Sequence, residues 1–274
     1  MNDRGIAQKV KGSLVNIIRG AGDVLTATVQ ETSQVTVAAL RGAGDVAQVA
    51  SGLAADVVSG ALDAAKEVGG DVGSIAKGTV VGVVKGVGEV TTVSVGVVSD
   101  VVRAAVKGTS AAGTDIAEAS ADVAQSVVGA TKDTALGLED AAVGVARGAM
   151  AGARDVGADL GSAAKAAISG SLRGAKDVGG DVIETARATA VGLVSGTAAV
   201  GGDLAAVTRG AIIGAIQTAQ TLGVSAEEAA SAAASGAMEA AQEVGESAVK
   251  TVTGVTSEAI EGVKVVVKTP FKKS

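Results

Sequence analysis

The side chains of this sequence that could carry chemistry are carboxylates, amines and hydroxyls, because it contains no His, Cys, Trp or Tyr. Without His there is no side chain that ordinarily titrates near neutral pH, and without Cys there is no thiolate nucleophile or zinc–sulfur site. The acidic pairs Glu139–Asp140 and Glu227–Glu228 match no calcium-binding loop. We therefore assign no catalytic residue, no metal ligand and no cofactor, and we expect a protein that is not an enzyme.

Glycine-rich stretches such as GVVKGVG at 82–88 are not predicted to bind phosphate. A phosphate loop needs a preceding strand and a following Lys-Ser or Lys-Thr, and neither is present. The sequence also lacks a basic domain and aromatic side chains on which bases could stack, which argues against a nucleic-acid partner. We expect no small-molecule substrate.

Composition favours an ordered protein with a thin core. Of the 274 residues, 47% are hydrophobic and the net charge is −6, which does not fit a disordered chain. Because there are 40 Gly and a single Phe, the core must consist of Val, Ala, Leu and Ile. No secretory signal is visible, and the charge-free stretch 210–226 is too short and polar to span a membrane. We expect a cytoplasmic or peripheral membrane protein.

The acidic residues recur at a fixed spacing. Asp155 and Asp177 are 22 residues apart, as are Asp181 and Asp203, and acids at the half-step, such as Asp122, reduce the unit to eleven. Eleven residues make three helical turns at about 3.67 residues per turn. In this frame the charges gather on one side of a helix, whereas strands would require a period of two. The sequence therefore predicts an all-α protein.

The predicted architecture is one long amphipathic helix, with or without kinks, or several such helices. They are built on an unbroken eleven-residue repeat over 1–262, followed by a basic C-terminal tail over 263–274. The segments VGGDV (68–72 and 178–182) and VGGDL (200–204) are candidate breaks, since Gly-Gly can end a helix and Asp can cap the next. We favour kinks there, because no polar turn of ordinary length separates the helical segments.

One half of the helix circumference, here called the apolar arc, carries almost no charge. Its glycines form two series, one with Gly152, Gly174 and Gly196 and the other with Gly179 and Gly201. Glycine costs about 1 kcal/mol relative to Ala in a helix interior, so a partner surface must complete the fold. Small residues at fixed spacing let helix backbones approach closely, and a flat face also suits lipid. The candidate lipid- or partner-facing residues are Val24, Val46, Val68, Val90, Val156, Val178, Val200, Leu172, Ile183 and Leu193.

The charges on the two edges of the arc are sorted by sign. Parallel neighbouring helices would therefore place a basic edge against an acidic one, from which we predict lateral self-association into a homo-oligomer or filament. The frame also predicts that Val178→Asp, on the arc, impairs assembly or lipid binding far more than Ala188→Asp, on the polar face. The candidate ion-pairing residues are Lys66, Arg154, Lys176, Arg187, Arg209, Asp155, Asp177, Asp181 and Asp203. In the tail, Phe271, Lys272 and Lys273 are candidates for contact with anionic headgroups or with a neighbouring chain.

The stretches AAKEVGGDVGSIAKGTVVGVVKGVGEV (64–90) and VVRAAVKGTSAAGTDIAEA (101–119) resemble the eleven-residue amphipathic repeats of synucleins, perilipins and exchangeable apolipoproteins. The resemblance implies peripheral binding to membranes or lipid droplets by a helix that forms on their surface. Three functional alternatives are open. The first is a structural coat, tubule or sheath of helices associated laterally on lipid. The second is a lipid-free homopolymeric filament or helical bundle built from close-packed Gly/Ala faces, and the third is a stress, desiccation or ice-related repeat protein.

Overall fold

Helices separated by short turns make up most of the part of the chain that the computed structural model describes, namely residues 8, 10–15, 23–42 and 46–267. Within these residues the only β-pairing is an isolated bridge between Ile260 and Val263, so the all-α prediction is confirmed. Residues 10–15 are helical, and a 3₁₀ turn, η1 (Thr131–Asp133), follows α5. The α-helices are α1 (Val24–Arg41), α2 (Val46–Val68), α3 (Val72–Val90), α4 (Val95–Ser110), α5 (Ile116–Ala130), α6 (Leu138–Asp155), α7 (Leu160–Asp177), α8 (Val182–Ala199), α9 (Leu204–Leu222), α10 (Ala226–Val244) and α11 (Glu246–Thr256).

The VGGD segments are turns between separate helices, so the prediction of kinks within a continuous helix is wrong. After α7, Gly179 adopts a left-handed conformation (φ 72°), and the N–H of Gly180 donates to the Ala175 carbonyl at 2.8 Å. This Schellman arrangement satisfies carbonyls at the end of the helix. Asp181 then caps α8, accepting from the N–H groups of Ile183 at 2.9 Å and Glu184 at 3.0 Å. The four residues 178–181 are enough to connect α7 to α8, because the two caps satisfy the free hydrogen-bonding groups at both helix ends.

The structural repeat is 22 residues long: one helix plus one turn. Helices α6 to α10 begin at 138, 160, 182, 204 and 226, each start 22 residues after the last. A turn therefore falls in every second eleven-residue unit. The region predicted as a continuous repeat over 1–262 is divided into separate helices. The stretch 64–90 that resembles lipid-associating repeats contains the end of α2, a turn and all of α3.

Each helix packs against the helices one and two places away in the chain. A Cβ added at Gly180, in the turn before α8, would lie 2.5 Å from Leu138 Cδ2 at the start of α6. The starts of α6 and α8 therefore lie together, which makes these two helices parallel. The intervening helix α7 runs in the opposite direction. Repetition of this pattern gives two layers of parallel helices. One contains α1, α3, α5, α7 and α9, and the other contains α2, α4, α6, α8 and α10.

The apolar core is thin and follows the stack. Its bulkiest fully buried side chains in the C-terminal half are Met150, Ile168, Leu172, Leu193, Ile212 and Ile216, and most of the remainder are Val and Ala. Fully burying a Leu or Ile side chain stabilises the fold by about 1.5–3 kcal/mol. Because few side chains of that size are present, close approach of the helices has to make up the packing.

Candidate functional site: packed helix faces and charged edges

Six glycines lie where two helices of one layer approach each other closely, and we call them the glycine register. Each is buried and faces the helix two places earlier in the chain. A Cβ at Gly192 would lie 2.5 Å from the carbonyl oxygen of Val143, and one at Gly214 would lie 2.6 Å from that of Lys165. Only glycine therefore fits against these backbones. The register consists of Gly82, Gly148, Gly170, Gly192, Gly214 and Gly236, separated by 22 residues or a multiple of 22.

The first glycine series predicted on the apolar arc extends these contacts by one helical turn. A Cβ at Gly174 would lie 2.7 Å from the Gln125 carbonyl oxygen, and one at Gly152 would lie 2.9 Å from Val106 Cβ. In this series the spaced small residues lie where helix backbones approach closely, which is one of the two alternatives that the sequence leaves open. The second series has a different role, since Gly179 and its equivalents adopt positive φ in the turns.

Threonines take part in the same packing at the N-terminal end of the stack. In α1, Thr28, Thr32 and Thr36 are fully buried, and each donates its hydroxyl at 2.7 Å to the carbonyl four residues earlier. Their polar groups are thus satisfied within α1. A Cβ at Gly86 of α3 would lie 2.8 Å from Thr36 Cβ, so glycines of α3 receive the threonine side chains.

The predicted lipid-facing arc is covered by the chain itself. Leu172 and Leu193 have 0% exposure, which corrects the expectation that they face lipid or another chain. The reason is that the second layer of the same chain supplies the surface on which they pack. Val46 begins α2, but its side chain lies outside the described residues. The other predicted residues are half-buried, and all but Ile183 are the first or last residue or the C-cap of a helix: Val24, Val68, Val90, Val156, Val178, Ile183 and Val200.

Five of the predicted ion-pairing residues have local roles at helix ends. Asp181 and Asp203 are N-caps, and Asp203 accepts from the Ala205 N–H at 2.8 Å. Such caps typically contribute about 1 kcal/mol each. Lys66, Arg154 and Lys176 are exposed in the last turns of α2, α6 and α7, where positive charge interacts favourably with the helix dipole. Interactions at helix ends therefore explain much of the separation of basic from acidic residues along the edges of the apolar arc.

The remaining predicted charges form links between different segments of the chain, most of them between parallel helices of one layer. Arg103 binds Asp155 through two hydrogen bonds of 2.8 and 3.0 Å, which hold the pKa of the Asp155 carboxyl below its usual value. Basic-to-acidic pairing between parallel neighbours thus occurs inside one chain, and exposed pairs of this kind contribute up to about 1 kcal/mol each. Similar contacts join α3 to α5 (Lys77–Asp122, 2.6 Å), α3 to η1 (Lys85–Asp133, 2.8 Å), α5 to α7 (Gln125–Asp177, 2.8 Å) and α9 to the segment after α11 (Arg209–Glu258, 3.6 Å).

Arg187 is the most connected of the predicted charges. It binds Glu184 on its own helix, Glu239 of α10 at 2.6 Å and Glu139 of α6 at 3.6 Å. Hydrogen bonds to Glu184 and then Glu239 raise the pKa of the Arg187 guanidinium. One cation therefore ties together three neighbouring helices of the layer and offsets the repulsion among three carboxylates.

The start of the predicted basic tail packs on the protein. Val263, Val265 and Val267 are half-buried, Lys264 is exposed, and the Val266 N–H donates to Ser231 Oγ of α10 at 3.1 Å. Ser231 of α10 lies 44 residues after Arg187 of α8, so the two residues occupy equivalent positions in their helices. Because Arg187 is where the next helix of the layer packs, through Gly236, the segment covers the side of α10 where a further helix of the layer would sit. The predicted tail contacts Phe271, Lys272 and Lys273 lie outside the described residues.

Neither ligand-type groups nor known relatives direct a functional assignment. Among the described residues there is no group of three or more His, Cys, Asp or Glu side chains that could hold a metal ion. None of the helices described is long and apolar enough to cross a membrane. No protein-family model matches the chain, and no curated protein matches it. Helix packing and charge are therefore the features of the molecule from which a function can be inferred.

Sequence reasoning missed the glycine register itself. The eleven-residue frame places Gly170, Gly192 and Gly214 on the side that also carries acidic residues such as Asp181, so it predicts no helix contact for them. The signal that could have revealed them is their spacing of 22, the spacing that also relates the capping aspartates.

Proposed function

We propose that this chain is a non-enzymatic structural protein that folds without lipid into a stack of helices built from close-packed glycine and alanine faces. The glycine register is the observation that best supports this proposal. Its members lie where a Cβ would collide with another helix of the same chain, as Gly192 does against Val143. Lipid acyl chains would accept a Cβ at these positions, so a lipid-facing surface does not require glycine there.

The coat on a lipid surface is less well supported by this geometry. For Leu172 and Leu193 to reach lipid, the two helix layers would have to separate, because both side chains are fully buried between helices. Each such side chain stabilises the packed form by about 1.5–3 kcal/mol, and lipid contacts would have to replace that contribution throughout the stack.

We further propose that copies of the chain associate with one another through their charged outer surfaces. Parallel helices within the chain already place basic edges against acidic ones, as in Arg103–Asp155, and the same matching is available to exposed edges of neighbouring copies. Exposed ion pairs are weak and salt-dependent, so we expect this association to be reversible.

The experiment that tests folding without lipid measures helicity by circular dichroism and binding by vesicle flotation. One set of vesicles is neutral phosphatidylcholine, and the other also contains anionic phosphatidylserine. We expect high helicity in buffer, unchanged on addition of either vesicle, and no flotation. A large rise in helicity with vesicles, together with flotation, would support the lipid coat and contradict the proposal.

A matched pair of variants links this test to the glycine register. Gly192→Val should lower helicity in buffer, whereas Gly52→Val, at an exposed helical glycine with open space around it, should change it little. Association between copies is measured by sedimentation velocity over a range of protein and salt concentrations. Association that weakens as salt rises is expected, and a monomer at every protein concentration would refute that part of the proposal.

A further inference from the structure

The glycine register is interrupted at one place in each layer. Between Gly82 and Gly148 the two intervening register positions hold Ala104 in α4 and Ser126 in α5. Both residues are half-buried, whereas all six register glycines are buried. The interruption therefore separates α1–α3, the N-terminal block, from α4–α11, the C-terminal block, and we call the boundary between these blocks the seam.

Packing across the seam differs from packing elsewhere in the stack. A Cβ at Gly108 of α4 would meet the end of the flexible Leu62 side chain of α2 rather than a helix backbone. The pairs α2–α4 and α3–α5 also approach each other over less of their length than the other parallel pairs of the two layers. Among the described glycines of α4 and α5, none therefore sits against the backbone of α2 or α3, as the register glycines of the other parallel pairs do against theirs.

Three clefts open along the seam. One of about 360 Å³ lies between α3 and α5 and is lined by Lys77, Glu118 and Asp122 among others. A second, of about 500 Å³, lies between α2 and α4 beside Ser59 and Lys107. A third cleft, of about 530 Å³, lies between the end of α3 and η1. Clefts in both layers at the same boundary indicate that the whole seam is loosely packed.

Charged contacts and an unusual connection hold the blocks together. Lys77–Asp122 at 2.6 Å and Lys85–Asp133 at 2.8 Å join α3 to α5 and η1. The connection TTVS at 91–94 lacks the VGGD turn, and Thr91 is extended (φ −152°, ψ 175°) instead of helical. The apolar core continues across the seam, so the blocks stay attached when these ion pairs open.

We propose that the seam is a hinge. The two blocks move as bodies about residues 91–94, and the ion pairs Lys77–Asp122 and Lys85–Asp133 act as a latch that salt weakens. Opening widens the clefts between α2 and α4 and between α3 and α5, while the glycine-locked pairs within each block keep their spacing. This proposal concerns motion within one chain and stands whether or not copies associate.

Spin labels on pairs of introduced cysteines test the hinge, since the natural chain contains no Cys that would also be labelled. The seam pair is Ser59→Cys with Lys107→Cys, on α2 and α4. The control pair is Arg173→Cys with Gln220→Cys, on the glycine-locked helices α7 and α9. All four side chains are exposed, and the paired residues are 48 and 47 positions apart, respectively. Double electron–electron resonance then measures the distance distribution of each pair.

Two salt concentrations separate the latched from the released state. Screening lengths are about 30 Å at 0.01 M and about 3 Å at 1 M salt. We expect the seam pair to shift to longer and more widely distributed distances in high salt, while the control pair stays narrow and unchanged. A seam distribution as narrow as the control at both concentrations would overturn the hinge.

Two double variants test the ion pairs of the latch and the register positions of the seam separately. Lys77→Ala with Lys85→Ala should give the broad seam distribution at both salt concentrations. Ala104→Gly with Ser126→Gly places glycine at both interrupted register positions. This double variant should narrow the seam distance distribution, because the helices can then approach closely. Circular dichroism of each variant checks that it is folded before distances are compared. No response of the seam distance to either double variant would also contradict the proposal.

Discussion

The tight contact at Gly192 predicts that a substitution that normally stabilises helices will destabilise this protein. Replacing Gly by Ala in a helix interior ordinarily gains about 1 kcal/mol. At Gly192, however, the added Cβ would lie 2.5 Å from Val143 O and 2.7 Å from Ala146 Cβ. Separating α6 from α8 to relieve this overlap should cost about 1–3 kcal/mol, as overpacking of a well-packed core does. We expect Gly192→Ala to lower the free energy of unfolding despite its helix propensity.

The matched control is Gly52→Ala. Gly52 is exposed in α2 and has no atom within 4 Å of a Cβ position, so only the propensity gain applies there. For a chain of this size, a change of 1 kcal/mol shifts the melting temperature by about 2–4 °C. Thermal unfolding followed by circular dichroism at 222 nm should therefore show shifts of opposite sign. If both variants raised the melting temperature equally, the assignment of Gly192 to a backbone contact would be refuted.

Two further predictions concern burial and pH. Ala188 is 3% exposed whereas Val178 is half-buried at the end of α7, so Ala188→Asp should destabilise the fold by about 3 kcal/mol or more and Val178→Asp by about 1 kcal/mol, measured by urea unfolding at pH 7. This reverses the ranking that the eleven-residue frame predicts, and equal losses would contradict it. Hydrogen bonds from Arg103 to Asp155 and from Ser162 to Asp159 lower the pKa of each carboxyl below the ordinary 3.8. Their stabilisation is present above that value and is lost as pH falls through the lower folded pKa, so the melting temperature should be flat from about pH 5 to 8 and fall below about pH 4. A steep change near pH 6.5 would be inconsistent with a chain that has no His.

The sequence determines the helical class of the protein and the chemistry of its helix ends. Period and composition are sufficient for the all-α prediction, because residues three and four apart share a face in any helix, whatever that face packs against. The ends are equally local. Gly179 accepts the left-handed conformation and Asp181 accepts nearby N–H groups, and each acts within a few residues of its own position. Gly-Gly-Asp is nevertheless compatible with a kink or with a full turn.

Only the tertiary structure decides between a kink and a turn, and what covers the apolar arc. An amphipathic pattern shows that a face is buried, but lipid, another chain and the same chain can all bury it. Here the turns bring Leu172 and Leu193 against the chain's own helices, where both are fully buried. Packing against neighbours one and two places away also buries more of each helix than the arc contains, which is why Ala188 lies inside. The need for glycine at position 192 is also decided by the tertiary structure. It arises from the Val143 carbonyl on another helix, and no local sequence pattern contains that contact.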